Sequence, residues 1–248
     1  MKISIITVVY NNVETIAQCA KSVIDQDYKD IEYIVVDGNS NDGTLDVINE
    51  FRDHISVLIS EEDEGMYHAM NKGIHASNGD IIGILNADDF YSSDIIITKV
   101  IEKFDATNCD GLYADLVYVD RKNGKKQVRY FRAGKQKSFL SGWHPPHPTF
   151  FVKKDIYKKF GLYNTSLKIA ADFEMMMRLI EKEKIKLSYI DEIIVKMRTG
   201  GASNKSLMNI ARTYSQNRKS FMLNNIKYPL FYPFIRYLSK VKQYLYHS

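Results

Sequence analysis

The stretch Ile81-Ile82-Gly83-Ile84-Leu85-Asn86-Ala87-Asp88-Asp89-Phe90-Tyr91 decides the fold, because an apolar run stops abruptly on two adjacent carboxylates. With Gly79-Asp80 in front, the run predicts a core strand whose end opens into a cleft. Asp88 and Asp89 admit two roles. Acids at such a position commonly form a turn or a helix cap. Paired carboxylates also offer the oxygen ligands of a hard cation, Mg²⁺ using one or two of them together with substrate phosphates.

Upstream, the β-branched run 3–9 predicts a first strand, and Ile16, Ala20 and Val23 mark one face of a helix after it. Residues 31–36 read as a second buried strand, and 37–44 as a polar Gly-containing loop before a helix over 45–51. A short strand at 56–60, a charged turn at 61–65 and a helix at 66–76 complete the alternation. Strands and helices alternating at this spacing give a mainly parallel, right-handed α/β sheet. Ligands of such sheets bind beyond the carboxyl ends of the strands. Three polar loops fall there: residues 7–12, 37–44 and 86–89. No GxGxxG follows the first strand and no GxxxxGK[ST] occurs, so dinucleotide-binding and P-loop chemistry lack their phosphate cradles.

Downstream, a helix is expected over 94–104, then strands at 111–120 and 126–131 joined by the Asn123-Gly124 turn. Three prolines stiffen the loop Gly142-Trp143-His144-Pro145-Pro146-His147-Pro148, ahead of a strand at 149–152 and a helix at 154–160. Small Ala170-Ala171 precede Asp172, with a helix expected over 175–183; an acid there is either a cap or a base aimed into a cleft. Short strands at 185–189 and 193–195 lead to Arg198, Ser203 and a flexible Gly200-Gly201 turn.

In its 248 residues, 45% hydrophobic and 26% charged, the chain has ordinary globular composition, enough for one large α/β domain and an appendage. Cys19 and Cys109 have no CxxC spacing and read as reduced cytosolic thiols, without structural zinc. Met1-Lys2 leads straight into the first strand, with no signal-peptide pattern. Ten basic residues and no acid follow Glu192, so the body carries about −6 and the tail about +10. That tail reads as helical but broken at Pro229 and Pro233, and it mixes Tyr228, Phe231, Tyr232, Phe234 and Leu238 with Lys227, Arg236 and Lys240. Such a mixture is expected to lie on a membrane surface, the plainer alternative being a helix packed on the body. Nucleic acid is not the expected partner, because the body is negative.

Taken in order, these motifs resemble the family 2 glycosyltransferases of the GT-A fold, of the bacterial capsule, O-antigen and exopolysaccharide type. The resemblance covers residues 1–203. It rests on Thr7-Val8-Val9-Tyr10-Asn11-Asn12, Val35-Val36-Asp37-Gly38-Asn39-Ser40, Asp63-Glu64-Gly65-Met66-Tyr67, Leu85-Asn86-Ala87-Asp88-Asp89, His147-Pro148-Thr149-Phe150-Phe151 and Ala170-Ala171-Asp172-Phe173-Glu174. It implies a nucleotide-sugar-binding half over 1–110, an acceptor half over 111–203 and a helical extension over 204–248.

The resemblance further implies an inverting, metal-dependent transfer from a nucleotide sugar, a UDP-sugar, to a lipid-linked saccharide at the inner face of the cell membrane, with Mn²⁺ or Mg²⁺ as cofactor. Thr7, Val9, Tyr10, Asn12, Asp37, Asn39, Asn71, Lys72, Asn86, Ala87 and Asp88 would line the nucleotide. Asp89, with Asp88, would hold the metal. Asp172 would be the catalytic base, and His147, Trp143, Glu174 and Arg198 would stand on the acceptor side. Tyr91 and Trp143 are candidates to stack on sugar rings, or core residues. Asn86 stands where many relatives carry Asp, which shifts the metal onto the last acid and the substrate phosphates. Processive relatives carry Gln-x-x-Arg-Trp and membrane spans, absent here, so a single addition is expected. The competing class is a nucleotide-sugar-binding scaffold without catalysis.

Overall fold

The computed structural model describes residues 1–200 and 207–245, except the side chains of 207–210, 237 and 240–245. Gly201, Ser203 and the expected boundary at 203/204 lie outside the described residues. In chain order the elements are β1 (Ile3–Val9), α1 (Ile16–Ile24), β2 (Ile31–Asp37), α2 (Thr44–Asn49), β3 (Val57–Ser60), α3 (Met66–Ala76), β4 (Ile81–Ile84), β5 (Asp89–Tyr91), α4 (Ile96–Thr107), β6 (Gly111–Val119), β7 (Gln127–Phe131), β8 (Phe151–Lys153), α5 (Lys154–Phe160), α6 (Ala171–Met177), β9 (Leu187–Arg198), α7 (Leu207–Leu223) and α8 (Tyr232–Leu245).

These strands form one sheet in the order β3-β2-β1-β4-β8-β6-β9-β5, with β7 beside β6. All seven residues of β1 are buried, as a strand covered on both faces requires. Ile6, Val8 and Ile34 cluster with α3, α5 and α6, whereas Ile5, Val9 and Val35 cluster with α1 and α4. The sheet is parallel from β3 to β4 and mixed beyond: β8 runs antiparallel to β4 and β6, and β9 parallel to β6.

Three local expectations need correction. The two short strands expected at 185–189 and 193–195 are one strand, β9, because register shifts at Ala114–Leu116 absorb the extra residues without ending the pairing. The helix expected from 175 starts at Ala171 and continues into a π turn over Arg178–Lys182. Pro233 does not break the last helix but sits in its first turn, where its missing N–H has no intrahelical partner to lose; the break lies between Leu223 and Tyr232.

Away from the polar rim, the buried Glu32 carboxylate ties β1, β2 and the turn before β4 together. It accepts from Ser4 Oγ and Asn78 N, both at 2.6 Å, and from Asn78 Nδ2 at 3.1 Å and Lys2 Nζ at 3.2 Å. Gly79 fits only as glycine, because a Cβ there would sit 2.6 Å from the Ser4 backbone nitrogen. Burial pushes the Glu32 carboxyl up, but the Asn78 and Ser4 donors outweigh it and bring the group down from 4.5 to about 2. A depressed carboxylate stabilises the fold above its ordinary pKa and loses that contribution as pH falls towards 2. Glu32→Gln is therefore expected to cost about 2–3 kcal/mol at neutral pH and progressively less on acidification. Urea denaturation across that range measures it; a pH-independent gap would remove Glu32 as the source.

Candidate active site

Because β1, β2 and β4 lie side by side, the loops after them share one rim. Side chains stitch these loops together through backbone N–H groups: Ser40 Oγ accepts from Asn11 N at 2.8 Å, Asn11 Oδ1 from Asn41 N at 2.9 Å, and Thr44 Oγ1 from Asn12 N at 2.8 Å. Asn11 and Asn39 take φ of 47° and 64°, a region asparagine tolerates. Tyr10 and Asn39 are exposed on the rim, whereas Thr7 and Val9 form its floor. The Thr7 hydroxyl is buried, accepting from Tyr33 OH at 3.2 Å and facing Cys19 Sγ. Burial pushes that thiol up to about 12, so it stays protonated.

Asp37 is also buried, its carboxylate taking N–H and O–H bonds from Ser40 and an O–H bond from Ser60 at 2.8 Å. Beside it, Gly38 lies between Tyr10 and Asp63, each 3.4 Å from where its Cβ would be. Lys72 pairs with Asp63 and Glu61, both at 2.7 Å. That ammonium thus neutralises acids of the preceding turn. Asn71 faces the other way, donating to Tyr163 O at 2.9 Å and accepting from Tyr163 N at 3.0 Å.

The acidic loop after β4 is held by its carbonyls. Cys19 Sγ reaches Asn86 O at 3.4 Å, Thr15 Oγ1 donates to Ala87 O at 2.9 Å, and Arg198 donates to Asp88 O at 2.7 Å. Arg198, expected on the acceptor side, is buried at the end of β9, where it also bonds Gln18 and lies over the Phe90 ring. Its charge is spent on positioning this loop. Tyr91 is core. Asp89 is wholly buried; Oδ2 accepts from Asn86 Nδ2 at 3.2 Å, and Oδ1, like Asn86 Oδ1, has no hydrogen-bond partner. Burial first, and then the neighbouring Asp88 charge, hold the Asp89 carboxyl well above the carboxylate range. Two orphaned oxygens beside half-buried Asp88 are a donor set suited to a hard cation. Among the described residues no cluster of three or more His, Cys, Asp or Glu side chains could hold a metal alone. A cation here would need oxygens from its substrate.

Asp172 lies in the first turn of α6, whose N-cap is Ala170 with no side-chain cap, so it does not cap the helix. Tyr67 OH of α3 contacts both Asp172 Oδ1, at 2.9 Å, and Ile169 O, at 2.8 Å. Burial and the Asp172 charge raise the Tyr67 phenol well above its usual range and keep it a donor. Tyr163 stacks on Tyr67, with centroids 5.8 Å apart, and meets His147 Nε2 through its hydroxyl at 2.7 Å. Burial lowers the His147 pKa, against the pull of Asp172, favouring neutral imidazole. From α7, Gln216 Oε1 accepts from Ile169 N at 2.9 Å and Ala170 N at 3.2 Å.

Glu174 and Trp143 are committed to packing: Glu174 is buried against Arg178 and Asn224, and the Trp143 indole donates to Ala133 O between Tyr113 and Phe139. Sequence reasoning missed Tyr67, Tyr163, Gln216 and the loop-holding role of Thr15. The one signal available was Tyr67 standing four residues before Asn71, on the same helix face.

The sequence model of "Glycosyl transferase family 2" matches residues 4–166. The chain belongs to glycosyltransferase family 2. A protein of Mycobacterium tuberculosis, named an uncharacterized glycosyltransferase, is 32% identical over 184 residues, 71% of this chain and 68% of its own. The PGL/p-HBAD biosynthesis glycosyltransferase of Mycobacterium bovis is 26% identical over 208 residues, 81% of this chain and 78% of its own. Among solved structures, S. aureus TarS 1–349 with UDP superposes with a TM-score of 0.69 at 17% identity, covering 99% of this chain and 72% of that one. Mannosyltransferase PcManGT from Pyrobaculum calidifontis, with GDP-Man and Mn²⁺, does so with 0.66 at 15%, covering 97% and 73%. The chain is a glycosyltransferase of the GT-A fold.

Asp89→Asn replaces, at nearly constant shape, a carboxyl that burial and the Asp88 charge penalise whenever it ionises. The cation-free variant is expected to melt about 2–4 °C above wild type, roughly 1 kcal/mol. Mn²⁺ at about 100 times its Kd should raise wild type by roughly 2.7 kcal/mol and leave the variant unmoved. Thermal scans with and without chelator read both effects. Equal stabilisation of both proteins by Mn²⁺ would take Asp89 out of the ligand set.

Proposed function

We propose that this glycosyltransferase is inverting and cation-dependent, and that it adds one sugar from a UDP-sugar to a lipid-linked saccharide in bacterial surface polysaccharide synthesis, at the inner face of the cell membrane. In this proposal residues 1–110 bind the donor, 111–203 receive the acceptor and 204–248 form a helical extension. The observation that carries it is Asp172: Tyr67 fixes one carboxylate oxygen, while the other takes no hydrogen bond among the described residues. A carboxylate oriented in this way suits a general base.

Asp172 Oδ2 would take the proton of the acceptor hydroxyl as that oxygen bonds to the anomeric carbon and the bond to the nucleoside diphosphate breaks on the opposite face. Asp89 and Asp88 would hold a divalent cation, which when bound supplies positive charge beside the departing diphosphate. The rim of Tyr10, Asn12, Asp37, Asn39 and Asp63 would seat the nucleotide, over the floor made by Thr7 and Val9. TarS structures hold UDP and UDP-GlcNAc, and the PcManGT structure holds GDP-Man with Mn²⁺; both support a nucleotide-sugar donor and the latter a cation. Among the described residues no helix is long and apolar enough to cross a membrane.

Asp172→Asn is expected to keep donor binding and lose transfer by about 10²–10⁴-fold. Full transfer in that variant would move the base elsewhere. Tyr67→Phe keeps the ring stack and removes only the hydroxyl. It should lower kcat about tenfold with donor KM unchanged, and cost nothing further in the Asp172→Asn background. Additive losses would mean that Tyr67 does not act through Asp172.

A further inference from the structure

The C-terminal helices bury one face and leave another bare. Phe221 and Tyr232 are fully buried, their rings 4.8 Å apart, and both pack on Phe173 of α6. Arg236 lies over the same Phe173 ring at 5.0 Å, and Ile235 and Ser239 meet the Gly142 loop. On an adjacent face, Phe231, Phe234 and Leu238, spaced i, i+3, i+7, are exposed by 69%, 62% and 45%. Leu230 is exposed by 84%, and Met222 and Leu223 are exposed at the end of α7. Six of the thirteen exposed large apolar side chains among the described residues thus fall within one connection and the helix turns beside it. A concentration of exposed apolar side chains of this kind marks an interaction site.

The charge around the patch selects its partner. Arg212, Arg218, Lys219 and Lys227 are exposed nearby, and no acid follows Glu192. A second copy of the same patch would bring like charges together, whereas an acidic surface that also accepts apolar side chains meets both requirements. We propose that Met222, Leu223, Leu230, Phe231, Phe234 and Leu238 dock this enzyme on an acidic phospholipid bilayer, side chains entering the interface and the flanking basic residues meeting lipid phosphates. This rests on the membrane-face part of the proposed function and names the surface responsible. Packing and lipid contact are not alternatives for this segment, because they use different faces of α8.

Deleting the tail would also strip Tyr232 from Phe173, so the clean test leaves the inner face intact. The full chain and its Phe231→Ser/Phe234→Ser variant are sedimented with vesicles of phosphatidylcholine alone and of phosphatidylglycerol in phosphatidylcholine. Wild type should partition at least about tenfold better onto the acidic vesicles, falling with salt, and the variant should lose about tenfold or more of that, as the removal of two buried aromatic rings implies. Its melting temperature and metal-dependent donor hydrolysis should stay at wild-type values. Equal partitioning of both proteins, or of wild type onto both vesicles, would overturn the proposal; so would a wild-type dimer in gel filtration that the variant abolishes. Donor hydrolysis retained without vesicle binding would remove the docking surface and leave the transferase standing. Vesicle binding without hydrolysis would do the reverse.

Discussion

Three consecutive carbonyls, those of Asn86, Ala87 and Asp88, are each claimed from behind by Cys19, Thr15 and Arg198. With the backbone oxygens turned into the body, the loop can confine Asp89 in a site with no solvent and an unpaired oxygen. A buried carboxylate in that state is costly, and it persists because the surrounding strands and helix determine the loop completely. The restraint comes from elements far apart in the chain. Helix α1 follows the first strand, and Arg198 closes the last strand, 110 residues after the carbonyl it holds.

The surroundings of Asp172 use the same device. Asp172 is placed by Tyr67 from α3, by the stack of Tyr67 on Tyr163 and by Gln216 gripping the backbone two and three residues earlier. Asn71 fixes Tyr163 in turn, so one face of α3 orders the surroundings of Asp172, while Asp63 in the turn before α3 lies beside Gly38 of the loop after β2.

How much of this was legible in the sequence depended on range. Strand ends and polar loops were visible because a buried strand is continuous in apolar residues and stops where water begins, as at Leu85-Asn86 and Val36-Asp37. The acids Asp88 and Asp89 stood out at such an end, and Asp172 at a helix start. What the sequence hid were partners more than a hundred residues apart: Tyr67 with Asp172, and Arg198 with Asp88. No local pattern distinguishes an arginine aimed at a phosphate from one aimed at a carbonyl. Nor could spacing show that Lys72 and Glu174 were already paired, since both are ordinary helix residues until their neighbours are known. The tail was legible in composition but not in sidedness, because its inner face is defined only by Phe173 and the Gly142 loop.

Gln216 gives the C-terminal helices a consequence for protein engineering. A chimera that exchanges the last forty residues with those of a relative, made to redirect where the enzyme works or what it glycosylates, would also exchange the clamp on Ile169 and Ala170. Loss of turnover in such a hybrid would look like a mismatch of acceptor when its cause was a displaced carboxylate. The useful cut lies within α7, after Asn224 has been matched to Glu174 and Gln216 retained, so that address and chemistry can be varied separately.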